Sequence, residues 1–211
     1  TVAYPGLQGP AAVEKGSMSE PAQSLPRQIW PEEFAARYRA EGYWKGETFG
    51  SFLRARAAAH PERLAVSDGV NRWSYAEVLA RSEAAAGGYM ALGLKPGDRV
   101  LVQLPNVATF LPAVFGLFLA GLIPVYVLPA HRRTELEHFA RRSGAKAVVT
   151  LDQFDGFAYP AMAAVVRELV PDLQHIIVAG EAGGHISFDS FGQKPEAFPE
   201  IDPSSVAFLQ I

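Results

Sequence analysis

Apolar and polar positions divide the chain into a part without period and a part with regular alternation. Residues 1–30 are rich in Pro, Gly, Ser and Gln and carry no apolar period, which predicts a flexible tail. Pro31-Glu32-Glu33 then predicts a helix start: Pro suits the first helical position and the two acids face the positive end of the dipole. Phe34, Ala35 and Tyr38 supply its apolar stripe. A second helix is expected over about Phe49 to Ala59, with Phe52 and Leu53 on the apolar side, ended by His60-Pro61 because a residue before Pro avoids helix. Leu64–Val66 and Asn71–Trp73 flank Asp68-Gly69, a hairpin signal. Ser74-x-x-Glu77 is a capping box for a helix running to about Met90.

Beyond Pro96-Gly97-Asp98 the pattern becomes strand, helix, strand. Arg99–Leu104 reads as a strand, and Asn106 as the cap of a helix from Val107 to about Gly121. Ile123–Leu128 is a strand, and Thr134-x-x-Glu137 a second capping box, for a helix to about Ser143. Ala145–Leu151, Met162–Val170 and His175–Ala179 read as strand, helix and strand. Continuous β-branched runs between helices predict an α/β fold with a mostly parallel sheet flanked by helices and buried on both faces. Val206–Ile211 is a last apolar strand with no element after it, and the C-terminal end of such a strand is where α/β sheets put ligand-binding loops. The expectation is therefore a sequence cut short. At the other end Met18 is expected to be the natural start, with Thr1–Ser17 lying upstream of it.

Composition removes several functional classes. Cysteine is absent, so no disulfide framework, thiolate zinc site or cysteine nucleophile exists, and cytoplasmic residence is compatible with that. A net charge of −3 gives no basic footprint, so no nucleic-acid partner is expected. Residues 151–211 hold nine acids against two bases, read as a solvated face. Val107–Ala130 lacks charge and is long enough to span a bilayer, but Pro112, Gly116, Gly121 and Pro124 interrupt it. It reads as a buried helix followed by a buried strand, with no membrane partner.

Candidate chemistry is sparse. The dinucleotide Gly-x-Gly-x-x-Gly fingerprint, the Gly-rich Lys-Ser/Thr phosphate loop and the Gly-x-Ser-x-Gly nucleophile elbow are all missing. His131-Arg132-Arg133 follows a strand at the sheet edge that usually carries sites. It reads either as guanidiniums for a phosphate or carboxylate, or as a basic helix start held by Glu135 and Glu137. Glu135-x-x-His138 has the ligand spacing of one half of a carboxylate di-iron site, but no second copy exists, so these read as solvated helix residues.

Several stretches, taken together, resemble the adenylate-forming superfamily. Arg72-Trp-Ser-Tyr-Ala-Glu-Val78 resembles its first core motif, and Gly97-Asp-Arg-Val-Leu-Val-Gln-Leu-Pro-Asn106 the strand and cap that follow. Leu119-Ala-Gly-Leu-Ile-Pro-Val-Tyr-Val-Leu-Pro129 resembles the second core motif. Ser204-Ser-Val-Ala-Phe-Leu-Gln-Ile211 is similar to the strand that leads into the third. Within the superfamily, the Trp30–Trp44 segment, Val102-Gln-Leu-Pro-Asn106 and Leu128-Pro-Ala-His-Arg132 are similar to the aryl-acid AMP ligases that activate 2,3-dihydroxybenzoate or salicylate in siderophore synthesis.

The resemblance implies activation of an aromatic acid by ATP and Mg²⁺, then transfer of the aryl group to a phosphopantetheine thiol on an aryl carrier protein. It implies that residues 31–211 form an incomplete N-terminal part of an AMP-binding adenylation domain, inactive alone. The phosphate loop, acid pocket, adenine motif and catalytic lysine of the family lie in later sequence, so no catalytic, cofactor-binding or metal residue is carried over. Asn106, His131 and Arg132 match motif positions without an assigned role. The competing expectations are a fatty-acyl or aminoacyl adenylating enzyme, and a non-enzymatic flavodoxin-like binding domain.

Overall fold

A computed structural model describes residues 31–210. The expected tail, Met18, Trp30 and Ile211 lie outside the described residues.

The N-terminal elements form a layer beside the main sheet. Helix α1 covers Glu32–Ala40, with Pro31 one position earlier than expected, at the N-cap. Ala35 is its buried residue, whereas Phe34 is largely exposed. Helix α2 spans Phe49–Ala59 and starts with a capping box between Thr48 and Ser51. Leu53 is buried and Phe52 is not, so only half of the expected apolar side faces inward. Strands β1 (Leu64–Ser67) and β2 (Arg72–Ser74) pair antiparallel around the Asp68-Gly69 turn. The Ser74–Glu77 capping box then opens α3, Tyr75–Ala91, with Ser74 Oγ accepting from the Glu77 N–H and the Glu77 carboxylate accepting from the Ser74 N–H.

The main sheet contains β3 (Arg99–Gln103), β4 (Ile123–Tyr126), β5 (Ala147–Leu151), β8 (His175–Ala179), β9 (Ile186–Ser187) and β10 (Leu209–Gln210). A short hairpin of β6 (Gln153–Phe154) and β7 (Phe157–Ala158) lies between β5 and β8. The sheet order is β10-β4-β3-β5-β8-β9 and every pairing is parallel. Helices α4 (Phe110–Leu119), α5 (Arg133–Ser143) and α6 (Tyr159–Leu169) make the crossovers.

Alternation along the strands divides the core between two faces, as the pleat requires. Val100, Val102, Val149 and Ile177 pack with α3 and α4. Leu101, Val148, Ile176 and Val178 pack with α5 and α6. The α3–α4 crossing is close because Gly116 lacks a Cβ; one placed there would lie 2.6 Å from the Ala85 methyl. No described helix is long and apolar enough to cross a membrane. Val107–Ala130 is instead divided between α4, β4 and their connections.

Three local expectations need correction. Asn106 does not cap α4, which begins at Phe110 after Thr109. The reason is Pro112: a helix from Val107 would place it beyond the first turn, where its ring meets the preceding carbonyl, whereas a start at Phe110 puts it in the first turn. Thr134-x-x-Glu137 is not a cap either. Arg132 is the N-cap, its backbone N–H donating to the Glu135 carboxylate at 3.0 Å, while Glu137 pairs with Arg141 at 2.9 Å. Within the described part of the expected last strand, Val206–Phe208 are not strand and Leu209–Gln210 are, paired with Val125 and Tyr126 of β4. The β6–β7 hairpin was not expected, although Asp155-Gly156 carries its signal: both residues have positive φ, at 50° and 73°, as the tightest hairpin turns require.

Candidate functional site

The topology selects one end of the sheet. After β3 the chain turns to α4 on one face, and after the adjacent β4 it turns to α5 on the other. Neighbouring strands whose connections part to opposite faces leave a crevice at their C-terminal ends, the usual place for ligands in α/β sheets. A cleft of about 540 Å³ lies there. One wall is Leu104–Val107 with Phe110, the other is Val127–Pro129, and Tyr126 and Phe154 complete it. Phe110 and Tyr126 stack with ring centroids 6.0 Å apart. Burial raises the Tyr126 phenol above its ordinary range, so it remains protonated and able to donate at neutral pH. A second groove of about 420 Å³, lined by Phe49, Phe52, Phe118 and Ile201–Ala207 without Ser204, includes Gly121 and Leu122. It therefore lies toward the opposite end of β4.

Both walls of the cleft are anchored from behind. The β3–α4 wall is held by Asp68 of the β1–β2 turn. Its carboxylate accepts the Ala108 N–H at 2.7 Å, the Asn71 N–H at 2.7 Å and the Val70 N–H at 3.0 Å. The Ala108 bond, then that of Asn71, holds the carboxyl well below the usual carboxylate range. Because the folded value lies below the unfolded one of about 3.9, the resulting stability is present above that pH and is lost as pH falls toward the folded value. Asp68→Asn is therefore expected to lower Tm most above about pH 4, and the difference from wild type should close on further acidification. Thermal melts across that range check this; a gap independent of pH contradicts it.

The Leu128–Arg132 turn is held more densely. Gln103 Nε2 donates to Leu128 O at 3.1 Å and to His131 O at 3.0 Å. The Tyr159 hydroxyl donates to Pro129 O at 2.9 Å, and Arg132 Nη1 donates to the same oxygen at 2.6 Å. Tyr159→Phe is expected to cost about 1 kcal/mol, since one part-buried bond is lost without loss of packing. Urea unfolding measures it; an unchanged midpoint would deny the anchor.

The motif residues are placed as follows. Asn106 lines the cleft. His131 and Arg132 do not; they stand behind its wall. His131 Nδ1 accepts the Leu128 N–H at 3.2 Å, which places the neutral ring's proton on Nε2, and the ring packs edge-on against Phe139. The Arg132 guanidinium lies 4.2 Å from the Phe157 ring centroid of the β6–β7 hairpin. Of the two readings of this basic run, the geometry matches the helix start, with Glu135 as partner and Glu137 engaged elsewhere. Glu135 is held low by the Arg132 N–H, so it is a cap. Among the described residues no group of three or more His, Cys, Asp or Glu converges as metal ligands would. Sequence reasoning missed Gln103 and Asp68 as anchors. An amide inside the run Val-Leu-Val-Gln-Leu was the available signal for the first; a turn Asp whose carboxylate reaches another loop leaves none.

Comparison with known proteins fits this arrangement. The family described as AMP-binding enzyme matches residues 53–210. The chain is 42% identical over 182 residues to a 2,3-dihydroxybenzoate-AMP ligase of Bacillus subtilis, covering 86% of this chain and 34% of that protein. It is 44% identical over 193 residues to the salicyl-AMP ligase / salicyl-S-ArCP synthetase of Mycobacterium tuberculosis, with the same two coverages of 86% and 34%. The apo structure of Mycobacterium smegmatis MbtA superposes with a TM-score of 0.79 at 42% identity, over 86% of this chain and 34% of that one. The chain thus spans about a third of the length of the curated relatives it matches. From motif order, parallel topology and these matches together, the chain belongs to the AMP-binding enzyme family.

Proposed function

We propose that the full-length protein activates an aromatic carboxylic acid of the 2,3-dihydroxybenzoate or salicylate kind with ATP, and passes the aryl group to a carrier-protein phosphopantetheine thiol in siderophore biosynthesis. The observation that carries this reading is identity of 42% and 44%, over 86% of the chain, to ligases that make 2,3-dihydroxybenzoyl-AMP and salicyl-AMP. On this reading residues 31–211 are the N-terminal part of the adenylation domain, and the reaction takes place in the cytoplasm. A carboxylate oxygen bonds to the α-phosphorus as the bond to pyrophosphate breaks. The carrier thiolate then attacks the carbonyl carbon and AMP leaves.

The reaction as proposed uses ATP with Mg²⁺. Among the described residues no group of three or more His, Cys, Asp or Glu converges on a cation, and no step is assigned through it. What this segment contributes is a rigid parallel sheet with two anchored walls at its C-terminal edge. Preorganised surroundings of this kind lower the reorganisation needed at the reacting centre.

The test is acid-dependent exchange of labelled pyrophosphate into ATP by the full-length protein. Salicylate or 2,3-dihydroxybenzoate is expected to support exchange, and fatty acids and amino acids are not. Exchange driven only by a fatty or amino acid would move the protein to another branch of the superfamily. No exchange with any acid would favour a binding domain without catalysis.

A further inference from the structure

Gln103 is a buried amide at the end of the central strand β3, only 1% exposed. Its orientation is fixed by its neighbours. It faces two carbonyls, Leu128 O and His131 O, and of the amide's two atoms only Nε2 can donate to them. Its Oε1 is left buried and without a partner, an arrangement that ordinarily costs stability. An apolar side chain of similar size would relieve Oε1 but leave Leu128 O with the His131 N–H as its donor and His131 O with Arg132 Nη1, one bond each instead of two. Its backbone carbonyl is tied as well, accepting from Thr150 Oγ1 of β5 at 3.3 Å.

The carbonyls that Gln103 holds bracket the turn whose first half, Leu128 and Pro129, is one wall of the cleft. The second half carries His131, which in turn accepts the Leu128 N–H. Removing the amide would take one tie from each end of the turn and leave it to the Tyr159, Arg132 and His131 bonds, with the packing of the sheet in place.

We propose that Gln103 is a positioning residue for the cleft. It clamps the Leu128–His131 turn and so fixes the wall that faces the ligand end of the sheet. This rests on the adenylating reading for its kinetic consequence but not for its structural one. Gln103→Glu keeps the shape but, when ionised, offers no donor. Burial raises its pKa, so acidification restores an O–H that can bond one of the carbonyls.

The experiment uses the full-length protein, wild type and with Gln103→Glu or Gln103→Met, in two arms. Amide hydrogen exchange is expected to rise at least about tenfold in residues 128–132 of both variants, with β3 and β5 unchanged. In pyrophosphate exchange, KM for the acid or for ATP is expected to rise about tenfold while kcat stays within about threefold. For Gln103→Glu alone, that KM should return toward wild type as pH is lowered from about 8 to 6. Unchanged protection of the turn overturns the clamp. A freed turn with unaltered KM values, a loss confined to kcat, or a Gln103→Glu pH profile parallel to wild type overturns its role in the cleft. Failure of both variants to fold also overturns the proposal, since it assigns Gln103 a local role. A wild-type protein without acid-dependent exchange defeats the adenylating reading instead, and the hydrogen-exchange arm still decides the clamp.

Discussion

Gly87→Ala is expected to destabilise the fold by about 3 kcal/mol, the upper end of the cost of overpacking. The sign is what makes this informative. In an unobstructed helix interior Ala is favoured over Gly by about 1 kcal/mol, so a free position in α3 would gain stability. Here a Cβ on Gly87 falls on the Gln193 carbonyl oxygen, and one on Gly88 falls on the Phe191 ring. The segment 191–198 crosses α3 at these two glycines. It is held down by Phe191 edge-on to Tyr89, at 5.4 Å between centroids, and by Lys194 paired with Glu83 at 2.8 Å. Arg54 also reaches Glu83 and lies 4.4 Å from the Phe198 ring centroid. The obstructing atom at Gly87 is backbone, which cannot rotate away, whereas Phe191 has a side-chain torsion to adjust. Gly87→Ala should therefore cost more than Gly88→Ala. Urea unfolding of both variants decides this; a gain in stability at Gly87 would show that the crossing segment is not packed there.

Leu101→Ala is expected to cost about 2–5 kcal/mol, the range for truncating a fully buried leucine. Leu101 is 0% exposed and lies in β3, between Val125 of β4 and Val148 of β5. Leu136 of α5 belongs to the same packed cluster. Elements on two sides of the sheet ladder and one helix thus fix the cavity walls, and collapse into the space left by the missing atoms is restricted. The solvent-exposed Val70 provides the control: it is 90% exposed, and its truncation should change stability by less than about 0.5 kcal/mol. Equal effects at both positions, measured by denaturant midpoint, would contradict this placement of the core.

Much of the fold was legible because its signals are local. The Ser74–Glu77 box, the Asp68-Gly69 hairpin and the β-branched run His175–Ala179 each carry their own instruction within a few residues. Errors arose where two local signals competed. Asn106 and Thr134 are good caps in isolation, but Pro112 shifts one helix start forward, and Arg132 with Glu135 sets the other earlier. The candidate site was less legible for a physical reason. Its walls come from two loops after neighbouring strands, and their anchors are Asp68, Gln103 and Tyr159, separated from the groups they hold by up to 40 residues. No periodicity encodes such pairs. Motif order indicated the family, and topology indicated the edge of the sheet; the side chains that hold that edge emerge only from the contacts.

The most direct test of the central claim follows the oxygen atoms. The full-length protein is supplied with ATP, a thiol-bearing carrier and salicylate or 2,3-dihydroxybenzoate labelled with heavy oxygen in its carboxylate. Attack of that carboxylate on the α-phosphorus requires one labelled oxygen to leave with AMP when the aryl group passes to sulfur. The account predicts AMP carrying one heavy oxygen and an aryl thioester on the carrier. Label in inorganic phosphate with ADP as product, or AMP formed without label, would contradict it.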